Sequence, residues 1–151
     1  MLTRKVKKAR IGLYSAGLKA YWAQFDGLEA RLKGYNAFIE KRLGEFAEVF
    51  NFGLVDDSAA GQRAGAYFNA SEVDMIFAHS ATYFTSDCIL PVHLNCKAPV
   101  VLLNLQPAAH MNYPKTSTGE WLAHCVGCPV PEAANMFNRA GLELHIVNGL
   151  L

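Results

Sequence analysis

The sequence predicts a single three-layer α/β domain built on a doubly wound parallel sheet. Strand-like apolar runs alternate with helix-like segments along all 151 residues. The run 99–103 is short and continuously apolar, as expected for a strand buried on both faces of a parallel sheet. Segment 28–43 repeats apolar residues at four- and three-residue spacing, which predicts one helix face packed on that sheet.

The first half of the chain supplies three strands and two helices. Strands are predicted at 10–15, 48–52 and 73–78. The first helix begins near Asp26, where a capping residue followed by an acid three residues later favours a capping box. An alanine-rich second helix is predicted at Ser58–Ala70.

The second half continues the alternation. A third helix is predicted at 86–95, with its start uncertain because of Pro91, and a fourth strand at 99–103. A fourth helix opens at 129–132 and ends at Gly141, and a fifth strand follows at 142–147. Five strands joined by right-handed crossovers predict the flavodoxin-like order 2-1-3-4-5.

Length and composition limit the kind of protein. Residues 1–151 fit one domain, and the apolar residues 148–151 without a closing helix favour the N-terminal domain of a longer chain; a complete small domain is the alternative. A charged fraction of 18% and a net charge of +1 argue against a disordered chain and against an electrostatic nucleic-acid binder. No apolar run reaches the roughly 20 residues of a membrane span, so a cytoplasmic protein without membrane contact is expected.

The basic run near the start of the chain and the four cysteines could bind ions or react, but we interpret both mainly as structural. The basic run consists of Arg4, Lys5, Lys7, Lys8 and Arg10; it is predicted to be solvated, with contact to an anion or acidic surface as the alternative. Four cysteines in a chain with an ample core favour reduced thiols. Cys125 and Cys128 are predicted to pack as small apolar groups; zinc binding and redox activity are the alternatives, and a structural zinc site would need four ligands.

A ligand site is expected at the carboxyl ends of the strands, where doubly wound sheets bind ligands. Loops 16–25, 80–86 and 104–128 lie at that edge, and 104–121 is too long and polar for a plain connector. Their aromatic rings, amides and hydroxyls suit a polyol better than a phosphate. Segment 15–19 lacks a glycine-rich phosphate fingerprint, and 14–15 and 78–79 lack the acids of a phosphoacceptor domain.

Structural roles compete with binding for each of these groups. Tyr21, Trp22 and Tyr83 also suit a cover over the sheet edge or a subunit contact, and Gln106 also suits a brace for its loop. Segment 119–121 also suits a lock at a helix start, in which Glu120 accepts local amides while Trp121 packs. His79, at the end of the third strand, is predicted to be a hydrogen-bonded edge residue rather than a proton shuttle.

Four motifs resemble the N-terminal domain of the L-arabinose isomerase family, within the wider arabinose/fucose isomerase group. They are Tyr-Trp-Ala-Gln-Phe-Asp-Gly-Leu at 21–28, Ala-Thr-Tyr-Phe-Thr-Ser at 81–86, Asn-Leu-Gln-Pro at 104–107 and Thr-Gly-Glu-Trp-Leu-Ala at 118–123. The resemblance runs over essentially the whole chain. Ala23 is a departure, because proline is expected there in close relatives.

The resemblance implies a metal-dependent aldose–ketose isomerase that acts on an aldose such as L-arabinose. It implies a divalent metal, typically Mn²⁺, held with the catalytic base by later domains outside this chain, so that this chain alone is inactive. It also implies a homo-oligomer, a hexamer or tetramer, in which the edge loops reach a neighbouring subunit's active site. Tyr83 and Gln106 are then the expected substrate-lining residues, followed by Tyr21 and Trp22, with Thr118, Gly119, Glu120 and Trp121 as a structural loop.

One alternative from another class stays open at this stage. A flavodoxin-like domain with a polar, aromatic carboxyl edge also suits a stand-alone sugar-binding or regulatory module without catalysis.

Overall fold

The computed structural model describes residues 7–151 and confirms the predicted architecture. Five parallel strands form one sheet in the order β2-β1-β3-β4-β5. The strands are β1 (Arg10–Ala16), β2 (Glu48–Val55), β3 (Met75–Ser80), β4 (Val100–Gln106) and β5 (His145–Leu150). The helices are α1 (Leu28–Gly44), α2 (Ser58–Ala70), α3 (Ser86–Asn95), α4 (Thr118–Leu122) and α5 (Val130–Arg139), with 3₁₀ turns at Lys19–Tyr21 and Tyr113–Lys115.

All five strands differ from their predicted bounds by one to three residues at one or both ends, and the reason is visible for β4 and β5. β4 continues to Gln106 instead of ending at residue 103, because it pairs with β5 as far as Gln106 opposite Leu150. β5 starts at His145 rather than at 142. The reason is that Gly141, at φ 67°, and Leu142 form the C-terminal cap of α5, with the Leu142 amide donating to the Phe137 carbonyl at 2.9 Å.

The predicted capping box of α1 is wrong. Gly27 is the N-cap, with φ of 76° and no side-chain cap, and Asp26 is exposed before it. A positive φ at this position favours glycine, so the chain turns into α1 through backbone freedom rather than through a carboxylate. The other cap geometries follow the usual chemistry: the Ala60 amide donates to the Asp57 side chain at 2.7 Å at the start of α2.

One face of the sheet is covered by α2, α3 and α5 over strands β1–β4. The main core joins apolar residues of these three helices to those of the sheet, among them Tyr14, Phe68, Ile89, Leu102 and Phe137. α2 approaches α3 so closely that a Cβ built on Gly61 would lie 2.2 Å from the Cys88 carbonyl oxygen. This contact requires glycine because backbone atoms cannot move aside without breaking the helix.

The other face is covered by α1 alone. Leu13, Ile39, Val101 and Leu103 are buried there. Beyond α1, the sheet leaves a groove of about 570 Å³, and every residue of β5 is exposed. The groove is lined by Phe38, Ile39, Arg42, Leu43, Leu103, Leu105, Val147, Leu150 and Leu151.

The basic run is only partly within the described residues, because Arg4 and Lys5 lie outside them. Lys7 and Lys8 are exposed, as predicted for a solvated lead-in. Arg10 instead has a structural role: its guanidinium pairs with Glu48 at 3.0 Å and donates to the Ser71 carbonyl at 2.8 Å. Within 7–151, none of the helices combines the length and apolar character needed to cross a bilayer.

Candidate functional site

Three segments from distant parts of the chain meet at the carboxyl edge of the sheet. Their buried contacts are Leu28 and Leu32 of α1, Ala81 after β3, and Leu122 and Ala123 at the end of α4; Tyr21, Trp22 and Phe25 pack against them. The Thr82 hydroxyl donates to the Leu122 carbonyl at 2.8 Å. A Cβ on Gly119 would lie 3.5 Å from Phe25. α4 is thereby held against the loop that follows β1.

Between the first turns of α1 and α4 lies a polar cleft of about 230 Å³. Arg31 and Glu120 face each other there in a two-pronged ion pair: Nη2 donates to Oε1 at 3.0 Å, and Nη1 donates to Oε2. The Arg31 Nε also donates to the Tyr35 hydroxyl at 2.7 Å. The polar cleft is lined by Asp26, Gly27, Leu28, Arg31, Ser117, Gly119 and Glu120.

The electrostatics of this ion pair favour binding over proton transfer. The hydrogen bonds from Arg31 hold the pKa of Glu120 below its usual range, and the same bonds raise the pKa of Arg31. A general base works best with a pKa near the operating pH, so Glu120 is poorly suited to that task. A carboxylate beside a guanidinium offers strong acceptors and donors to the hydroxyls of a polyol.

The predicted structural loop at 118–121 is the start of α4, but its contacts differ from the prediction. The Ser117 hydroxyl caps the helix by accepting from the Glu120 amide at 3.2 Å. Glu120 accepts from Arg31 rather than from local amides. Trp121 is 45% exposed instead of packed, and it lines a shallow hollow of about 340 Å³ with Tyr113 and Thr116.

Trp22 has the structural role that the sequence analysis gave as the alternative to substrate binding, a cover over the sheet edge. Its indole N–H donates to Asp56 at 2.6 Å. A Cβ on Gly17 would lie 2.9 Å from the indole ring, so the ring covers the end of β1. Tyr21 packs edge-on against Phe25 with ring centroids 5.9 Å apart, and its hydroxyl is not tied in this way.

Tyr83 lies on the α5 side of the same edge. Its hydroxyl donates to Glu132 at 3.2 Å, and Glu132 also accepts from the Ser86 amide and hydroxyl, each at 2.8 Å, at the start of α3. The negative charge of Glu132 is the main cause of the raised pKa of Tyr83, and Tyr21 and Cys125 contribute to it. Tyr21 follows β1 and Tyr83 follows β3, so both lie at the carboxyl edge of the sheet, as the sequence predicted.

Gln106 lies at the end of β4, and it does not line the polar cleft. Its backbone carbonyl accepts from the Leu151 amide at 2.9 Å. Two residues earlier, the side-chain oxygen of Asn104 is buried without a hydrogen-bond partner, while its amide donates to Asn148 at 2.7 Å. Buried acceptors without a partner are rare in folded proteins, so Asn104 is a notable polar group at this edge of the sheet.

A buried polar network under α1 was largely missed by the sequence analysis. Asn36 donates to the Ser15 hydroxyl at 3.0 Å, and that hydroxyl lies 2.9 Å from His79 Nδ1. Burial lowers the pKa of His79 to about 4, so the imidazole is neutral and hydrogen-bonded, in keeping with the predicted edge role. The available signal was an asparagine between Leu32 and Ile39 on the apolar stripe of α1.

The cysteine pair shows the features of packing rather than of reactivity. Cys125 is buried and Cys128 exposed, and both are free thiols. Burial and the adjacent Cys128 raise the pKa of Cys125 to about 12, so its thiol stays protonated near neutral pH. Across residues 7–151, no three His, Cys, Asp or Glu side chains are grouped so that they could hold a metal ion.

Neither a family model nor a curated protein matches this chain. Solved structures do match, among them a complex of the transcriptional regulator CelR with cellobiose, at 11% identity and a TM-score of 0.37. The match covers 95% of this chain and 52% of the regulator, so the chain spans about half the length of that protein.

Proposed function

We propose that this chain is the N-terminal, substrate-lining and assembly domain of a metal-dependent aldose–ketose isomerase that resembles L-arabinose isomerase. One observation carries the proposal: segments 21–28, 81–86 and 118–123, three of the four motifs behind the resemblance, pack into one cluster at the carboxyl edge. That cluster borders a cleft whose charged pair and helix ends suit sugar hydroxyls.

In this proposal the chain binds and orients an aldose and transfers no proton. Hydroxyl and amide groups line the edge, from Tyr21, Tyr83 and Gln106. The ion pair of Arg31 and Glu120 adds a donor and an acceptor side by side. Transfer of hydrogen between C1 and C2 requires a base and a Lewis acid. Both, including Mn²⁺, are assigned to residues outside this chain, because the carboxylates at this edge are engaged with Arg31 and with the start of α3.

The assembly role is supported by the open face of the sheet. Phe38, Val147 and Leu150 are 48%, 47% and 61% exposed around one apolar groove. Continuous apolar surface of this kind marks protein–protein contacts more often than solvent-facing surface. We assign it to contact with another subunit of a cytoplasmic homo-oligomer.

The test is a screen of aldoses, L-arabinose included, with the full-length protein and added Mn²⁺, in which ketose formation is measured. Ketose is expected from at least one aldose. Gln106→Ala is expected to raise KM or lower kcat with the oligomer intact. Gln62→Ala, an exposed glutamine on α2, is the matched control and should leave both unchanged. Kinetics of Gln106→Ala equal to those of the unaltered protein would rule out its substrate role.

A second candidate, a sugar-binding module without catalysis, is favoured by one feature: the polar cleft pairs Glu120 with Arg31, which lowers the pKa of the carboxyl group and suits it to binding rather than to proton transfer. It is distinguished by calorimetry on the full-length protein. Saturable aldose binding without ketose formation in the presence of Mn²⁺ favours the module, whereas turnover favours the enzyme.

A further inference from the structure

Two aromatic side chains are exposed next to the polar cleft, and they line a separate hollow of about 340 Å³, called here the aromatic hollow. Tyr113 is 74% exposed in the 3₁₀ turn before α4, and Trp121 is 45% exposed within α4. Tryptophan is highly buried on average in folded proteins, so a half-exposed indole at the ligand-binding edge of a sheet indicates contact with another molecule. The aromatic hollow is lined by Tyr113, Thr116, Ser117, Thr118 and Trp121.

The backbone of Trp121 is fixed although its ring is exposed. Its amide donates to the Ser117 carbonyl at 2.9 Å. The next residue, Leu122, is buried in the cluster at the carboxyl edge, and its carbonyl accepts from the Thr82 hydroxyl at 2.8 Å. A ligand that stacks on the indole therefore meets a ring on an ordered helix, and little ordering of the chain opposes its binding.

The lining of the aromatic hollow favours a neutral polyol. None of its five residues is charged, and three of them are serine or threonine. The Ser117 hydroxyl accepts from the Glu120 amide at 3.2 Å, which leaves its proton to be donated to a ligand. The Thr116 hydroxyl donates to the Asn112 carbonyl at 2.8 Å, which leaves its oxygen as an acceptor. A sugar ring offers apolar C–H faces to the aromatic rings and hydroxyls to these groups.

Ser117 joins the aromatic hollow to the polar cleft, because it lines both. The volumes of about 230 Å³ and about 340 Å³ each exceed the roughly 150 Å³ that accommodates benzene, which is also a six-membered ring. Each space therefore has room for one sugar ring, and a ligand of two linked rings can pass over Ser117 from one space to the other.

We propose that the carboxyl edge binds a neutral disaccharide, with one ring in the polar cleft beside Arg31 and Glu120 and the second ring stacked on Trp121 in the aromatic hollow. The inference rests on the proposed function for the sugar-binding role of the polar cleft. It goes beyond that function because it adds a second subsite and names the ligand class that fills both.

The experiment compares disaccharides with their own monosaccharides by calorimetry on the full-length protein. The pairs are arabinobiose with L-arabinose, xylobiose with D-xylose, and maltose with D-glucose. At least one disaccharide should bind about tenfold more tightly than its monosaccharide, which corresponds to about 1.4 kcal/mol from stacking on the indole.

Trp121→Leu keeps an apolar, helix-forming side chain and removes the ring. The affinity for that disaccharide should fall to the affinity for its monosaccharide, whereas the Kd of the monosaccharide should stay unchanged. Phe46→Leu is the matched control, because it removes an exposed aromatic ring from the turn between α1 and β2, at the opposite edge of the sheet. It should leave both Kd values unchanged.

Equal affinity within every pair, or no disaccharide binding, would overturn the proposal, as would an equal loss of both affinities in Trp121→Leu. Dissociation of Trp121→Leu into smaller species, detected by light scattering, would assign the aromatic hollow to a subunit contact instead. This proposal and the proposed function fail separately. Ketose formation without a preference for any disaccharide would remove only the second subsite, whereas a disaccharide preference without ketose formation would remove only the isomerase.

Discussion

The two faces of the sheet differ in how completely they are covered. On one face, α2, α3 and α5 bury a continuous core in which Tyr14 and Phe68 are fully inaccessible. On the other, α1 covers β1 and its neighbours, while the groove along β4 and β5 stays open. The covered face therefore supplies most of the folding free energy, whereas the open face is available for contacts with other molecules.

The largest expected contrast comes from the same substitution on the two faces. Phe68→Ala removes a ring that is 0% exposed, so we expect a loss of about 3–5 kcal/mol in the free energy of unfolding. Phe38→Ala removes a ring that is 48% exposed and should cost about 1 kcal/mol or less. Urea unfolding measures both, and equal losses would show that the open face is as much a part of the core as the covered one.

Acid should lower the free energy of unfolding through both faces of the sheet, because a buried neutral histidine packs on each face. The pKa of His79 is lowered to about 4 and that of His93 to about 3 from an ordinary value of 6.5. A depressed histidine pKa means that the unfolded chain takes up protons first, so stability falls as the pH drops from about 6.5 toward 4. Because one pKa unit corresponds to about 1.4 kcal/mol, His79 alone should account for about 3 kcal/mol of that loss.

The measurement is the urea midpoint as a function of pH, together with NMR titration of the histidine ring protons. His145→Gln is the control, because it removes a histidine that is 61% exposed rather than buried. A His79 ring that titrates near pH 6.5 would contradict the argument.

The sequence predicts the covered face better than the open one, for a physical reason. Periodicity and caps are local signals, so Ser58–Ala70 and Ser86–Asn95 are predicted at their observed bounds. The end of a strand depends on the strand that pairs with it. β4 extends to Gln106 because β5 pairs with it there, and the local sequence of β4 contains no signal of that pairing. Gly27 was misread because a favourable aspartate precedes it.

The candidate site was predicted in its location but not in its contacts. Parallel-sheet rules place Tyr21 and Tyr83 at one edge, and the structure places them there, after the parallel strands β1 and β3. The pairing of Arg31 with Glu120 joins residues 89 positions apart, so spacing alone offered no signal. His93 and Tyr14 are a similar case, 79 positions apart on two different elements.

The smallest effect on the free energy of unfolding is expected on the open face. A substitution there should instead change the oligomeric state. Val147→Glu changes a residue that is 47% exposed on β5 and should alter the free energy of unfolding by about 0.5 kcal/mol or less. In the full-length protein it places a charge in the apolar groove, so light scattering after size-exclusion chromatography should detect smaller species. Leu94→Glu, at 52% exposure on the outer side of α3, is the control and should leave the oligomer intact. An oligomer unchanged by Val147→Glu would show that the groove faces solvent and that the open face is not a contact between subunits.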